Sequence, residues 1–350
     1  MTQVSGALDR TDPVEARLSK AIDQIPLRRN HALILLLIGV GTLFNAIEGY
    51  NVGYAAPFLV EQWGLSTTQV TMLTTFTFGG LALGAVIAGV TGDRWGRRVT
   101  YMFSLLLFSI GGFVSAFSPN YEFLLVARVV AGIGLGGEIA VALTIVSEIM
   151  PTRVRGAALG FVNIAGGGAG IFAASGMSAL ILGPLSGPLG GDTMAWRYLL
   201  GILVVPALFI YYFRRYIPES PRHLIETGRV DEVNHALSRL ASGRLRPGKD
   251  LAVTEYIPAE TVPERQATTR LAEIFEGVLL RRTVVLWVMA IMTFGAQVTI
   301  TSLWPTILIW KGFSTDASLN MTLVINIGSL LGAIAAATCG HLLPRRVTLC

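Results

Sequence analysis

Long apolar runs separated by short polar joints dominate this chain. Runs near the 20 or so residues that a helix needs to cross a bilayer lie at about 33–57, 69–90, 99–117, 123–147, 157–182, 197–213, 283–309 and 318–340. They predict eight transmembrane helices, six before a long polar stretch and two after it. The predicted class is an all-α polytopic transmembrane bundle. It divides into an N-tail (1–30), a six-helix half (31–217), a polar loop (218–282) and a partial second half of two helices (283–350). Within the loop, "RVDEVNHALSRLA" sets Val230, Val233, Leu237 and Leu240 at helical spacing, which predicts an amphipathic helix rather than another span.

The pattern repeats. A shift of 248 residues lays Pro57 on Pro305, Ser66 on Ser314, Gly80 on Gly328 and Gly84 on Gly332. The same shift lays Gly92 on Gly340 and Arg97-Arg98-Val99-Thr100 on Arg345-Arg346-Val347-Thr348. Repeated halves are a signature of secondary transporters. The second copy diverges, with His341, Leu342 and Pro344 standing for Asp93, Arg94 and Gly96. By this register roughly 115 further residues, four helices, would complete the second half.

Composition agrees with the spans. Charged residues make up 14% of the 350 and hydrophobic ones 52%, with mean hydropathy +0.60; a soluble domain carries about 25% charged residues. All of the 27 Lys and Arg except Arg128, Arg197 and Lys311 fall in the N-tail, in alternate joints, in the long loop or at the C-terminal end. That distribution follows the positive-inside rule and places the N-terminus in the cytoplasm of a cell whose plasma (inner) membrane the chain crosses repeatedly. It does not describe a nucleic-acid-binding patch. The N-tail has no apolar core or cleavage site of a signal peptide. Cys339 and Cys350 suggest no disulfide framework, and the four histidines have no metal-ligand spacing.

The joint "TGDRWGRRVT" carries Gly89-x-x-x-Asp93-Arg94-x-Gly96-Arg97-Arg98. A plain basic loop accounts for the arginines but for neither Asp93 nor the glycines. A carboxylate at a helix end beside fixed arginines makes a cluster that can hold helices together and then release them. This joint resembles the hallmark loop of the major facilitator superfamily. Two further stretches, Glu148-x-x-Pro151-x-x-x-Arg155-Gly156 and "PESPRHLIETGR" (218–229), resemble signatures of its sugar-porter and metabolite-porter branches, with His223 where an aromatic is usual. The resemblance implies that Asp93, Arg94, Arg97, Arg98, Glu148, Arg155, Glu219 and Arg222 clamp the cytoplasmic helix ends when the carrier faces outward. Residues Gly132-x-Gly134-x-x-Gly137 match a dinucleotide fingerprint in form only, since they lie inside an apolar run with no preceding strand. Gly132 and Gly136 instead have small-xxx-small spacing for close helix packing.

Polar groups at membrane depth are the candidates for chemistry. "FNAIEGYNVGY" puts Glu48 near the centre of the first span, with Asn45 and Asn51 three residues to either side. The stretch resembles an acid-Gly-aromatic-Asp motif of aromatic-acid and metabolite:proton symporters, with Asn51 in place of the second acid. Glu138 is a second intramembrane acid. Arg128 lies ten residues earlier, about 15 Å along the helix and about 80° round it, so those two do not pair. Arg128 is left to pair with an acid on another helix or to attract an anionic substrate. Asn163, Gln297, Trp304 and Asn326 are candidate cavity-lining groups.

Together these features predict a secondary carrier, not an enzyme, with no cofactor and no metal. Its partners are a small organic substrate (an organic or aromatic acid), protons and the lipid bilayer. A sugar porter or a uniporter is the alternative of the same class. A truncated, non-transporting fragment or binding protein is the alternative of another.

Overall fold

The computed structural model describes residues 14–243, 251–258 and 275–342. A short helix α1 (Val14–Gln24) precedes α2 (Arg29–Trp63), α3 (Thr67–Trp95), α4 (Arg97–Ser115) and α5 (Tyr121–Ile149). The fifth span is continuous through α6 (Thr152–Asn163), a π-helical segment (Ile164–Gly170) and α7 (Ile171–Leu182). The sixth runs through α8 (Asp192–Gly201), a 3-10 turn (Ile202–Val204) and α9 (Val205–Tyr216). Two surface helices, α10 (Pro221–Glu226) and α11 (Val230–Ser242), lead to α12 (Gly277–Trp310) and α13 (Thr315–Leu342). The described residues contain no strand and eight helices long and apolar enough to cross a membrane. The repeated Arg345-Arg346-Val347-Thr348 lies outside the described residues.

Joint chemistry fixes where each helix stops. Gly64, at φ +63°, ends α2, and Ser66 and Gln69 form a reciprocal capping box at the start of α3. The repeat-related Ser314 accepts from the Ala317 N–H at the start of α13. A single residue, Gly96 at φ +97°, joins α3 to α4. That conformation favours glycine, which has no Cβ to clash.

Small residues bring the helices together. The glycines of α5 lie against both neighbours: a Cβ on Gly132 or Gly136 would run into the Thr77 or Leu81 carbonyl of α3, and one on Gly134 into the Phe108 backbone of α4. Backbones can approach this closely only over such residues. The π segment packs on α2 and α13, where a Cβ on Gly170 would lie 2.6 Å from Ala46 and one on Gly168 2.7 Å from Ala333. Single-turn π insertions recur at functional sites, and this one turns Asn163, Gly166 and Gly167 toward an interior cavity.

Two apolar clusters build the core. One, at the end carrying the basic motifs, joins Leu105, Phe108, Ile145 and Phe213 to Leu224, Val233 and Leu237. The other, at the opposite end, includes Tyr54, Leu59, Leu124, Trp196 and Leu200. All four apolar positions predicted for the loop helix are buried in α11.

Part of the 1–30 tail packs into the bundle. Leu18, Ala21, Ile22 and Ile25 of α1 and its exit are buried in the first cluster. Asp23 accepts from the backbone N–H and hydroxyl of Thr152 (2.6 and 2.5 Å), capping α6 from another helix, and Glu15 pairs with Arg222 at 3.2 Å.

Candidate functional site

Three polar groups from three helices meet in the apolar interior. Glu48 of α2 and Arg128 of α5 form an ion pair, and both side chains are 0% exposed. Arg128 also donates through Nη2 and Nε to the Ser115 hydroxyl of α4 at 3.0 and 3.2 Å. Ser115 in turn donates to the Gly111 carbonyl at 2.7 Å. Among the described residues, one oxygen, Glu48 Oε2, and one nitrogen, Arg128 Nη1, are buried without a partner. Gly112 makes room for the carboxylate, because a Cβ there would lie 2.9 Å from Glu48 Oε2. Mutual attraction offsets the desolvation of such a pair only while both charges are present. Asn51, one turn along α2, donates to the Leu199 carbonyl at 3.2 Å.

A second acid sits apart from this pair. Glu138 of α5, also fully buried, accepts from the Tyr101 hydroxyl of α4 at 2.9 Å and from the Asn45 amide of α2 at 2.8 Å. Asn45 lines a cavity of about 230 Å³ together with Tyr50, Phe78, Asn163, Gly166 and Gln297. Among the described residues, no charged side chain lines that cavity. Glu48 and Arg128 do not line it.

The charged motifs gather at one end of the bundle. Arg97 bridges Asp93 at 2.5 Å and lies 3.8 Å from Glu148, tying the ends of α3, α4 and α5. Glu219 accepts from the Arg98 backbone N–H at 3.0 Å, which puts a negative charge at the positive end of the α4 dipole. It sits so close to Gly96 that a Cβ there would lie 2.6 Å from its Oε2. The other two expected partners go elsewhere. Arg155 donates to the Met150 carbonyl at 3.3 Å, and Arg222 pairs with Glu15 and Glu226. Among the described residues, neither forms an ion pair with Glu148 or Glu219. Arg94 is exposed, and nothing in the structure explains Gly89, where a Cβ would meet no atom within 4 Å.

The remaining predicted residues separate. Asn163 and Gln297 reach the cavity, whereas Asn326 instead donates to the Tyr54 hydroxyl at 3.1 Å. Trp304 stands apart from the cavity wall with its ring N–H buried and unpartnered. Tyr101, Ser115, Glu15 and Asp23 join these contacts without being marked by any motif. Only α1, with apolar residues at 14, 18, 21, 22 and 25, offered a readable signal.

Residues 41–340 match the sequence profile of the family described as "Sugar (and other) transporter". The chain belongs to this family of major facilitator transporters. Two relatives from Acinetobacter baylyi illustrate its breadth. A niacin transporter, NiaP, is 29% identical over 332 residues, covering 95% of this chain and 72% of the relative. A 4-hydroxybenzoate transporter, PcaK, is 30% identical over 326 residues, covering 89% and 66%. The chain thus spans just under two thirds of the second relative's length. Among solved structures, a proton:xylose symporter, XylE, bound to 6-bromo-6-deoxy-D-glucose superposes with TM-score 0.67 at 20% identity, over 88% of this chain and 69% of that one. As a member of the family, the chain is a multi-pass membrane transporter of the major facilitator type. Its first six spans enclose both the Glu48–Arg128 pair and the Glu138 cluster.

Proposed function

We propose that this family member acts in a secondary active carrier that moves a small organic acid, an aromatic acid in first place, together with protons. Two helical halves would rock about the central cavity in alternating access. The observation that carries the reading is the buried Glu48–Arg128 pair with one unpartnered atom on each side. Protonating Glu48 removes one charge and leaves Arg128 a buried cation, which an anionic substrate can neutralise in its place. Proton and anion then enter and leave together, because either alone leaves an uncompensated charge in the interior. Glu138 is the second candidate proton site. Asn163 and Gln297 supply polar contacts from the cavity wall, while Asn51 ties α2 to the sixth span through the Leu199 carbonyl. Asp93, Arg97, Glu148 and Glu219 serve as the gate at the basic end. That end faces the cytoplasm, as does the N-terminus, and the membrane is the plasma (inner) membrane. Relatives named for niacin and 4-hydroxybenzoate support a ring acid.

A sugar substrate is the second reading, favoured by the uncharged polar lining of Asn45, Asn163 and Gln297. Uptake into proteoliposomes separates the two. With labelled aromatic acids and sugars supplied outside, the acid should accumulate uphill under an inward proton gradient. In Glu48→Gln, accumulation should fall to the level of passive equilibration while exchange persists. Undiminished uphill transport by that variant would remove Glu48 from coupling.

A further inference from the structure

Asn45 is the polar side chain that links the cavity to a buried acid, and its orientation is determined. Its Nδ2 donates to two acceptors, the Leu135 carbonyl at 2.9 Å and Glu138 Oε2 at 2.8 Å. A backbone carbonyl can only accept, so the group facing Leu135 must be the amide nitrogen whatever the protonation state of Glu138. With both amide hydrogens spent inside the protein, the only polar atom that Asn45 can offer the cavity is Oδ1, an acceptor. The anchor is itself held. Glu138 Oε1 accepts from Tyr101 at 2.9 Å, and Gly41 of α2 leaves room for that pair, since a Cβ there would lie 3.0 Å from Glu138 Oε1 and overlap the Tyr101 hydroxyl.

We infer that Asn45 Oδ1 is an acceptor subsite for a hydroxyl or N–H of the substrate, and that Glu138 is its positioning residue. This rests on the cavity being the substrate site. A volume of about 230 Å³ and a wall carrying Phe78, Leu81 and Ile139 suit a single ring bearing one such donor, smaller than the drug-sized ligands of typical pockets. Whatever negative charge the substrate carries is met elsewhere, since no described residue of the wall carries the opposite sign.

The test uses the full chain in lipid nanodiscs, with ¹⁵N-labelled asparagine and two probes, 4-hydroxybenzoate and 4-fluorobenzoate, which differ in one donor. In the wild type both Asn45 amide hydrogens should exchange slowly with solvent. The hydroxyl probe should bind about tenfold tighter than the fluoro probe, the value of one hydrogen bond. Glu138→Gln should keep both properties, because its amide oxygen can accept the same bond. Glu138→Leu should free one amide hydrogen and lose most of the discrimination. Asn45→Leu should bind both probes alike, which keeps the question answerable if Glu138→Leu does not fold. Freely exchanging Asn45 hydrogens in the wild type, or a preference for the fluoro probe, overturns the inference. If the wild type binds neither probe, the aromatic-acid reading fails, and the exchange measurement alone decides the orientation of Asn45.

Discussion

Arg128 shows what a single residue can and cannot disclose from its place in the chain. Its charge at membrane depth marked it as functional, and its ten-residue distance from Glu138 excluded that partner. The acid it meets, Glu48, lies 80 residues away on another helix, and helix register across a bundle is not written in either helix alone. Tyr101 left no signal at all, since an aromatic in an apolar span reads as packing. The pair makes a quantitative prediction. Arg128→Met leaves Glu48 buried without its cation and should cost about 3–5 kcal/mol, read as a lowered thermal unfolding midpoint in detergent. The double variant Glu48→Gln/Arg128→Met should be more stable than Arg128→Met alone, because no orphan charge remains. Strictly additive losses would argue against a coupled pair.

Helices and joints were the most legible level. Apolar run length gave all eight spans, and the 3.6-residue period gave α11, because both depend only on local sequence. The fifth span was legible in extent but not in kind, since nothing short of the packing against Ala46 and Ala333 reveals a π turn within "IAGGGAG". The first element, α1, lies within the 1–30 tail and was not legible as an element. Its apolar stripe was present, but five residues matter only once a surface exists to receive them. Glycine spacing on α5 correctly signalled close approach, and it divides the glycines by consequence. Gly136→Ala places a methyl against the Leu81 carbonyl and should destabilise by about 1–3 kcal/mol, as overpacking does. Gly89→Ala meets open space within α3 and should instead stabilise by roughly 0.5–1 kcal/mol, the helix-propensity difference between the two residues. Thermal unfolding of the two variants side by side checks both values.

At the scale of the molecule, the 248-residue repeat and the motif order pointed to the superfamily before any packing was known, and the profile match over residues 41–340 agrees. Which charges pair at the basic end of the bundle was only half legible. Asp93, Arg97 and Glu148 cluster at one end of the bundle, whereas Arg222 is drawn away by Glu15 of the docked α1. Depth can be read from span ends, but azimuth around the bundle cannot. The central claim is that a proton on Glu48 and an anion on Arg128 travel as one unit. Its most direct measurement is substrate-driven proton movement. Proteoliposomes holding the full chain and a trapped pH indicator would receive an aromatic acid outside, with no imposed gradient. The account predicts that the lumen acidifies faster than in protein-free vesicles, and that Glu48→Gln abolishes the excess. Substrate uptake with no excess acidification, or equal acidification by Glu48→Gln, would contradict it.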